Sequence, residues 1–567
     1  MGGPVAQPVV QAGKAVPYTL PDHTLASHGV GAVLRSCRSY LGLVAAARRA
    51  LPVALLVRIW LVSDPLAIRI PLLASGAAGS KRPPTLPTGG AAACDPWSAL
   101  LFPTIRFAAF FALVLPLSWA LVPSSLRWKW FMLGASWFFY GCWDWRFIAL
   151  IALSTAGNQA FAHLVHRSPE GPSRRWAVRA AVAANLAVLG YFKYTGFLSD
   201  SGSSVLRAFG FGVDPPDVRI VLPIGISFIT FQALSYVIDV GRGKLAPTSL
   251  LDFGVYLSFF PHVVAGPIVR ASEFLPQMDE RPDPRKVDVG PAFWLIAAGL
   301  FKKVVIASFL ADRIVDPLFA SPEQHGGIEA LVGIYAYAIQ IFADFSGYTD
   351  MAIGLAALLG FRFPQNFNSP YTATSVQDFW RRWHMTLSRW LRDYVYIPLG
   401  GSRKGRRRTL INIFLTMLLG GLWHGSAWTF VVWGALHGGW QVVERIQRER
   451  TGSHARAGPH APWLGRLLTF HVVCLGWVFF RADSFHTAGL VLGRLFQASP
   501  TPLNAMVPVV VAVMLAAQFV PSHAVDRART SLAQVHPALL GVGLGAAIAV
   551  VDVLGPEGIA PFIYFQF

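Results

Sequence analysis

The sequence has 567 residues, of which 54% are hydrophobic and 14% are charged, and this balance excludes an ordinary soluble globular protein. The formal net charge is +19, but the basic residues lie in short loops between apolar runs, as they do in the cytoplasmic loops of membrane proteins, so nucleic-acid binding is not indicated. The cysteines show no CxxC or CxxH spacing, which argues against a zinc site or a disulfide framework.

The first segment, residues 1–95, differs in composition from the rest of the chain. It is rich in Ala, Gly, Pro and Arg and includes the turn-like run SKRPPTLPTGG. Its one moderately apolar stretch carries three arginines and lacks the order of a signal peptide. We predict a disordered or weakly structured leader over residues 1–95 and a membrane domain over residues 96–567.

From Leu101 onward, apolar runs of membrane-spanning character follow one another, which predicts an all-α, polytopic transmembrane protein. The predicted spans or half-spans are Phe102–Val122, Trp128–Trp145, Phe147–Val165, Ala177–Tyr194, Ile220–Val240, Phe253–Val269, Phe293–Leu310, Leu331–Phe345, Met351–Phe361, Ile411–Trp423, Trp428–Val443, Leu467–Phe480, Met506–Phe519 and Ala538–Val553.

Three apolar segments are short or interrupted by Pro or Gly. They are Leu222–Phe228 (LPIGISF), Phe259–Val269 (FFPHVVAGPIV) and Leu418–Gly425 (LLGGLWHG). Broken backbone at membrane depth is tolerated only where it is buried in protein or lines a watery cavity. We therefore predict re-entrant helices around a central funnel, and two of the breaks carry a histidine, His262 and His424.

The segment Trp380–Tyr396 alternates arginines with tryptophans and leucines. This pattern predicts an amphipathic basic helix that lies in the membrane interface, with its arginines toward head groups and its tryptophans toward acyl chains. The loop Gly400–Arg408 (GGSRKGRRR) follows, and its charge predicts a cytoplasmic location.

Histidines are the main candidates for chemistry. His424 ends an apolar run, and Gly425 breaks the chain before another apolar helix. An imidazole there is suited to act as a general base that takes a proton from an attacking hydroxyl, the alternative being a hydrogen-bonded packing histidine. His384, beside Trp383, is a candidate for chemistry or substrate contact. His437 is better explained as a packing or interfacial residue, because one continuous helix would place it about 20 Å from His424.

Two carboxylates, Asp344 and Asp350, flank the motif DFSGYTD within an apolar run. Ionisable groups at mid-helix in a membrane cost about 2.5–3.5 kcal/mol on insertion scales and usually face a cavity. These carboxylates could orient a histidine or bind a cation, or they could pair with arginines such as Arg362. Asn366 and Asn368 in PQNFNSPY are typical of turns. The sequence contains no P-loop, GxSxG, HExxH or His-x4-Asp motif, which disfavours phosphate-driven transport and serine-hydrolase chemistry.

Several long motifs together resemble the membrane-bound O-acyltransferase (MBOAT) family, and in particular its bacterial branch that acetylates polysaccharides such as alginate. They are FFPHVVAGPIVR, DFSGYTDMAIGLAALLGFRFPQNFNSPY, DFWRRWHMTLSRWLRDYVYIPLGGSR, LLGGLWHGSAWTFVVWGALHG, GWVFFRAD and the terminal FIYFQF. The resemblance covers residues 101–567. It implies the MBOAT fold with a funnel or tunnel through the membrane, the signature histidine at His424 and a second family position at His384.

The resemblance also implies the substrates and partners. A cytoplasmic acyl-CoA, acetyl-CoA in the first instance, is the expected donor, with no permanently bound cofactor and no metal. The acetyl group is expected to pass outward to a periplasmic partner protein and a polysaccharide acceptor, across a cell inner membrane that the chain crosses several times. The residues expected to contact substrate are Arg381, Arg382, Trp383, Asp344, Trp423 and His262, and for His262 a packing role is the open alternative.

Two mechanisms and two other functions stay open at this point. His424 could act as a base in direct transfer, with His384 positioning the thioester, or it could carry the acyl group covalently. Within the same family, the alternative activity is D-alanyl transfer in teichoic acid synthesis, from a small carrier protein instead of CoA. From another class, a transporter or flippase for an acyl group or a lipid-linked sugar would use the histidines to bind or gate.

Overall fold

The computed structural model describes residue 100 and residues 102–212, 220–280, 282–451, 461–498 and 502–554. The predicted leader over residues 1–95 and the terminal FIYFQF motif lie outside these ranges. Every regular element within the ranges is helical, which confirms the all-α fold class. Cys142 and Cys474 are free and buried, as expected for packed thiols.

The helices are numbered in chain order over the described residues. The first eleven are α1 Ile105–Leu121, α2 Ser125–Gly141, α3 Arg146–Arg167, α4 Pro172–Leu189, α5 Thr195–Ala208, α6 Ile226–Gly241, α7 Leu250–Ser258, α8 Phe260–Val263, α9 Ala271–Asp279, α10 Val289–Leu300 and α11 Ser308–Leu310. The next eleven are α12 Asp316–Ala320, α13 Gly327–Leu358, α14 Val376–Arg382, α15 Met385–Leu391, α16 Gly405–His424, α17 Trp428–Thr451, α18 Ala461–Arg481, α19 Phe485–Arg494, α20 Met506–Ala517, α21 Ser522–Ala533 and α22 Pro537–Leu554.

Shorter helical turns join some of these helices. The π-helical turns are Gly190–Tyr194, between α4 and α5, Phe301–Ala307 and Ala311–Val315, between α10 and α12, and Arg392–Tyr396, after α15. The 3₁₀ turns are Pro284–Lys286, Pro322–Gln324 and Pro370–Thr372.

Several helical stretches have the length and apolar character needed to cross a bilayer. In the described part of the chain there are four, Arg146–Arg167, Val289–Ala320, Gly327–Leu358 and Pro462–Arg481. The prediction of two separate spans at Leu331–Phe345 and Met351–Phe361 was wrong, because the single 32-residue helix α13 contains all of the first and the second as far as Leu358.

The charged motif DFSGYTD does not interrupt α13, because its carboxylates have cationic partners. Asp344 forms a buried ion pair with Lys303, and Asp350 pairs with Lys302 at 2.5 Å. A carboxylate with a close cation avoids the cost of an isolated buried charge. Arg362, the partner considered from sequence, is exposed. The pairing alternative was therefore correct in kind, but lysines supply the charge.

The backbones of α10 and α13 approach closely at Gly299 and Gly347. A Cβ added to Gly347 would lie 2.7 Å from the carbonyl oxygen of Gly299, and one added to Gly299 would lie 2.5 Å from that of Gly347. Small residues allow membrane helices to pack at this distance. The contact brings the two lysines of the π-helical turn alongside the acids of α13.

The helices α16 and α17 form an antiparallel hairpin that depends on a similar contact. A Cβ added to Gly434 would lie 2.7 Å from the carbonyl oxygen of Met417. At the other end of the hairpin, Arg406 Nε donates to Glu449 Oε2 at 2.7 Å. The hairpin carries the last residue of α16, His424, into the protein interior.

The predicted interfacial helix over Trp380–Tyr396 was wrong. The chain breaks at His384, whose φ of 43° lies in the left-handed region, and this break separates α14 from α15. Trp383 and Trp390 are buried in protein, and Trp390 stacks on Phe231 with ring centroids 3.7 Å apart. Protein rings therefore surround the tryptophans where acyl chains were expected.

The pair α14–α15 is a re-entrant hairpin with His384 at its tip. The backbone N–H of Val376, at the start of α14, donates to Glu444 Oε1 at 2.6 Å, near the C-terminal end of α17. The chain after α15 leads through the basic loop Gly400–Arg408 to the start of α16, which the Arg406–Glu449 pair holds at that same end of α17. The start of α14 and the end of α15 thus both lie on the side of the basic loop.

Candidate active site

The tip of the re-entrant hairpin meets the end of α16. His384 is 0% exposed, His424 is 2% exposed, and their ring centroids are 6.4 Å apart. Gly425, which follows His424, is extended with φ −151° and ψ 154°, so the predicted break directly after this histidine is confirmed. Two imidazoles from different elements are thus close enough to contact one bound acyl group.

Asn366 fixes the tautomer of His384. Its Oδ1 lies 3.1 Å from His384 Nδ1 and 3.1 Å from the backbone N of Thr386. The Thr386 N–H can only donate, so the shared atom is the amide oxygen and His384 Nδ1 must carry a hydrogen. In the neutral ring the lone pair is then on Nε2, which has no hydrogen-bond partner among the described residues. His384 therefore presents a buried acceptor.

This role of Asn366 corrects the sequence interpretation. Its side chain is 1% exposed and is directed at His384, so assigning Asn366 to turn chemistry was wrong. Asn368, two residues on, is exposed, and its backbone N–H donates to the carbonyl of Arg382. The two asparagines of one motif therefore have unrelated tasks.

Aromatic rings enclose His424. Trp423 and Trp433 each pack edge-to-face on its imidazole with centroids 4.9 Å apart, and Phe480 does so at 5.4 Å. Such contacts fix the position of a ring through shape and through the quadrupoles of the aromatic partners. Phe480 belongs to the motif GWVFFRAD, so this motif packs directly on the histidine.

A cavity of about 110 Å³ lies beside His424. All three broken segments contribute to its wall, through Leu222–Phe228, through Val264, and through Trp423 and His424. The three breaks thus meet at one cavity, and the central funnel predicted around them stays a prediction. A cavity of this volume holds several waters and therefore has room for an acetyl group.

His262 does not line this cavity. Its Nε2 lies 2.8 Å from the backbone carbonyl oxygen of Tyr256, which can only accept, so Nε2 carries the hydrogen. The ring packs among Phe259, Phe274 and Phe363. The structure thus places this predicted substrate contact in a packed aromatic cluster.

His437 is also placed by packing. Its Nδ1 accepts a hydrogen bond from Trp380 Nε1 at 3.2 Å. Trp433 stands between the two histidines, with ring centroids 4.9 Å from His424 and 4.8 Å from His437. The chain reverses after Gly425, so the distance expected for one continuous helix does not apply.

The other predicted substrate contacts lie outside the cavity wall, apart from Trp423. Arg381 is exposed, and Arg382 pairs with Asp378 at 3.1 Å. Trp383 is buried among aromatic rings, and Asp344 is held by its lysine partner.

The sequence analysis missed two polar residues at the site, Asn366 and Lys193. Asn366 precedes His384 by 18 residues, and no local pattern connects the two. Lys193 lines the cavity together with His424. A usable signal was present for Lys193, because it is an isolated charge at the end of the predicted span Ala177–Tyr194, and such a charge is costly unless it has a partner.

Comparison with known proteins extends these observations. Residues 205–480 match the model of the MBOAT, membrane-bound O-acyltransferase family. The chain is 43% identical over 371 residues to "Probable alginate O-acetylase AlgI" of Pseudomonas putida, covering 65% of this chain and 74% of that protein. It is 37% identical over 388 residues to "Peptidoglycan O-acetyltransferase" of Helicobacter pylori, covering 63% and 72%. It is 30% identical over 280 residues to "Teichoic acid D-alanyltransferase" of Streptococcus thermophilus, covering 45% and 68%. His384 and His424 both lie within the residues that match the family model.

Proposed function

The chain belongs to the membrane-bound O-acyltransferase family and is an O-acyltransferase, and we propose that it moves an acetyl group from cytoplasmic acetyl-CoA to hydroxyl groups of an exported polysaccharide. Its relatives at 43% and 37% identity are named for O-acetylation of alginate and of peptidoglycan. The observation that carries the proposal is the meeting of His384 and His424, together with a cavity that His424 lines.

In the proposed reaction, the acceptor hydroxyl attacks the carbonyl carbon of the thioester. A C–O bond forms and the C–S bond to CoA breaks. His424 takes the hydroxyl proton during the attack and gives it to the departing thiolate, so that CoA leaves as its thiol.

The tautomer of His384 changes the part proposed for it. A nitrogen with a lone pair can accept a hydrogen bond from a hydroxyl but cannot donate one to the thioester oxygen. The attacking hydroxyl has one hydrogen, which His424 takes, so His384 Nε2 accepts a hydrogen bond from another donor of the bound acceptor. Asn366 keeps the ring in the tautomer that this task needs.

The distance between the basic loop Gly400–Arg408 and His424 bears on where the phosphates of CoA bind. α16 has 20 residues, so the basic loop at its start lies about 30 Å from His424 at about 1.5 Å per residue, close to the thickness of the hydrocarbon core. Phosphates held at that loop would be far from the histidine. Arg381, exposed and three residues before His384, is the better candidate to bind the phosphates of CoA.

The proposal includes a location and a partner. The chain crosses the inner membrane several times with the loop Gly400–Arg408 in the cytoplasm. The donor then enters from the side of this loop, while α16 carries His424 toward the opposite side. A separate periplasmic protein accepts the acetyl group and completes transfer to the polymer.

Transfer of D-alanine to teichoic acid is the second candidate function, because the chain is 30% identical to the D-alanyltransferase of Streptococcus thermophilus. The donor distinguishes the two functions, since D-alanine would arrive on the phosphopantetheine of a carrier protein. A transporter or flippase would move its substrate without forming a bond.

The test is transfer of labelled acetyl from acetyl-CoA in membranes that hold wild type, His424→Ala, His384→Ala or His486→Ala at matched expression. His486 is exposed on α19 and serves as the control histidine. We expect His424→Ala to lower the rate by about 100-fold or more, within the range of about 10²–10⁴ for general-base catalysis, while CoA still binds.

The outcomes separate the candidates. Near-normal transfer by His424→Ala contradicts its assignment as the base, and a large loss in His384→Ala alone would give that role to His384. Substrate movement that survives when transfer is lost favours a transporter. Label taken only from a charged carrier protein favours D-alanyl transfer.

A further inference from the structure

Two neighbouring residues, Lys193 and Tyr194, bond to the end of α16. Lys193 Nζ lies 2.6 Å from the carbonyl oxygen of Trp423 and 2.9 Å from that of His424. Tyr194 Oη lies 2.5 Å from the carbonyl oxygen of Leu422. Three consecutive carbonyls at the helix end thus accept hydrogen bonds from one dipeptide, about 230 residues earlier in the chain.

These are the carbonyls that a helix cannot satisfy by itself. The last four C=O groups of an α-helix have no intrahelical partner, and away from water an unpaired carbonyl is costly. The C-terminal end also carries partial negative charge, which favours a nearby cation. An ammonium group offers three donors on a long apolar stem, so one lysine can reach two adjacent carbonyls.

The local backbone explains how two successive side chains reach the same helix end. Side chains at i and i+1 point in different directions on a regular α-helix. Lys193 and Tyr194 lie instead on the π-helical turn Gly190–Tyr194, at the junction of α4 and α5. Single π-helical turns inside α-helices occur frequently at functional sites.

We propose that Lys193 is a positioning residue for His424. Its hydrogen bonds to the carbonyls of Trp423 and His424 keep the last turn of α16 helical as far as His424, directly before the extended Gly425. The backbone position from which the imidazole reaches the cavity is thereby fixed. Tyr194 acts in the same way one carbonyl earlier. This inference rests on the proposed function, in which His424 is the base.

The kinetic test uses Lys193→Met, which keeps the stem length but removes the donors, and Lys193→Arg, which keeps the charge and donors. Lys129→Met is the control, since Lys129 is a partly buried lysine on α2 that pairs with Asp252. We expect Lys193→Met to lower kcat by about tenfold to a hundredfold with KM for acetyl-CoA within about twofold, because a misplaced base affects chemistry more than binding. Lys193→Arg should restore most of the rate, and Lys129→Met should leave kcat unchanged.

Hydrogen exchange gives a readout independent of transfer. Lys193→Met should speed exchange of the amides of residues 421–425, while Lys129→Met should not. Should Lys193→Met fail to fold, Tyr194→Phe tests the same idea with a smaller change and should speed exchange in the same peptide.

The two readouts also separate this inference from the proposed function. If wild type transfers acetyl and His424→Ala does not, but Lys193→Met alters neither kcat nor exchange, the positioning role is wrong. A loss of kcat that Lys193→Arg does not restore also overturns it. If wild type transfers no acetyl while Lys193→Met still speeds exchange at the end of α16, the proposed function is wrong, but the stabilisation of this helix end by Lys193 is supported.

Discussion

The imidazole rings of the two histidines are oriented by different contacts. His384 is oriented through a polar contact, because the oxygen of Asn366 binds its Nδ1–H and so selects a tautomer. His424 is oriented through packing, since Trp423, Trp433 and Phe480 enclose its ring. A polar contact decides which nitrogen carries the proton, whereas packing decides where the ring lies. The first should be sensitive to single atoms and the second to volume.

The largest expected effect comes from adding volume between α16 and α17, the two helices of the hairpin that carries His424. In Gly434→Leu, the new Cβ would lie 2.7 Å from the Met417 carbonyl oxygen and 3.1 Å from the Cα of Leu418, so backbone must move. Overpacking typically costs about 1–3 kcal/mol and occasionally more. We expect little monodisperse protein after detergent extraction. Gly439→Leu, on the same helix with nothing within 4 Å of its Cβ, is the control. Equal recovery of both variants would show that the hairpin contact does not hold the site.

Next in size is the loss of the polar contact to His384. Asn366→Leu removes the acceptor for Nδ1–H, and the imidazole can then take the other tautomer. We expect kcat to fall by about tenfold to a hundredfold with the protein still folded, because wrongly oriented groups lose catalytic efficiency. Asn368→Leu, at the exposed asparagine of the same motif, should transfer acetyl at the wild-type rate. An unchanged kcat in Asn366→Leu would remove Asn366 from the site.

A smaller effect is expected at Thr386, which hydrogen-bonds to Asn366 and not to the ring of His384. Thr386 Oγ1 donates to Asn366 Oδ1 at 2.9 Å and accepts from the backbone N–H of Ile268 at 3.0 Å. Thr386→Val leaves a buried donor unpaired, which should lower the free energy of unfolding by about 1–3 kcal/mol. Thr386→Ser keeps the hydroxyl and should lose much less. Thermal unfolding in detergent compares the two, and equal stability would contradict the network.

The smallest effect should come from a conservative change in the packed region. Trp433→Phe keeps an aromatic ring against His424 and removes an indole N–H that has no hydrogen-bond partner among the described residues. We expect kcat within about threefold of wild type, since shape is what the ring supplies. Trp433→Ala opens a cavity worth about 3–5 kcal/mol and should lose more. A tenfold loss in Trp433→Phe would instead assign the N–H a part in the reaction.

The same contrast explains what the sequence could predict. The break after His424 and the cavity-lining segments depend on Pro and Gly signals close in the chain, so their placement could be predicted. Asn366 and His384 meet only because a loop folds back, and Lys193 meets α16 across about 230 residues, so no local pattern identifies the partner in either contact.

The errors in helix prediction have a related cause. The motif DFSGYTD is too polar for the middle of a single membrane-spanning helix, and two separate spans were therefore predicted on either side of it. Lys303 and Lys302, from a distant π-helical turn, pair with Asp344 and Asp350, and α13 continues through the motif. The segment after Trp380 fits an interfacial helix until His384 takes a left-handed φ, and sequence periodicity does not report this conformation.

The re-entrant hairpin α14–α15 constrains how the protein is made. Because both arms begin on the side of the basic loop, the hairpin cannot be threaded across the bilayer as a translocated span. Its buried tryptophans need walls from α6, α17 and α18, through residues such as Phe231, Trp433 and Trp477. α18 is synthesised after the hairpin. We therefore expect insertion of the surrounding helices to precede docking of the hairpin, and the two histidines to come together late in biogenesis.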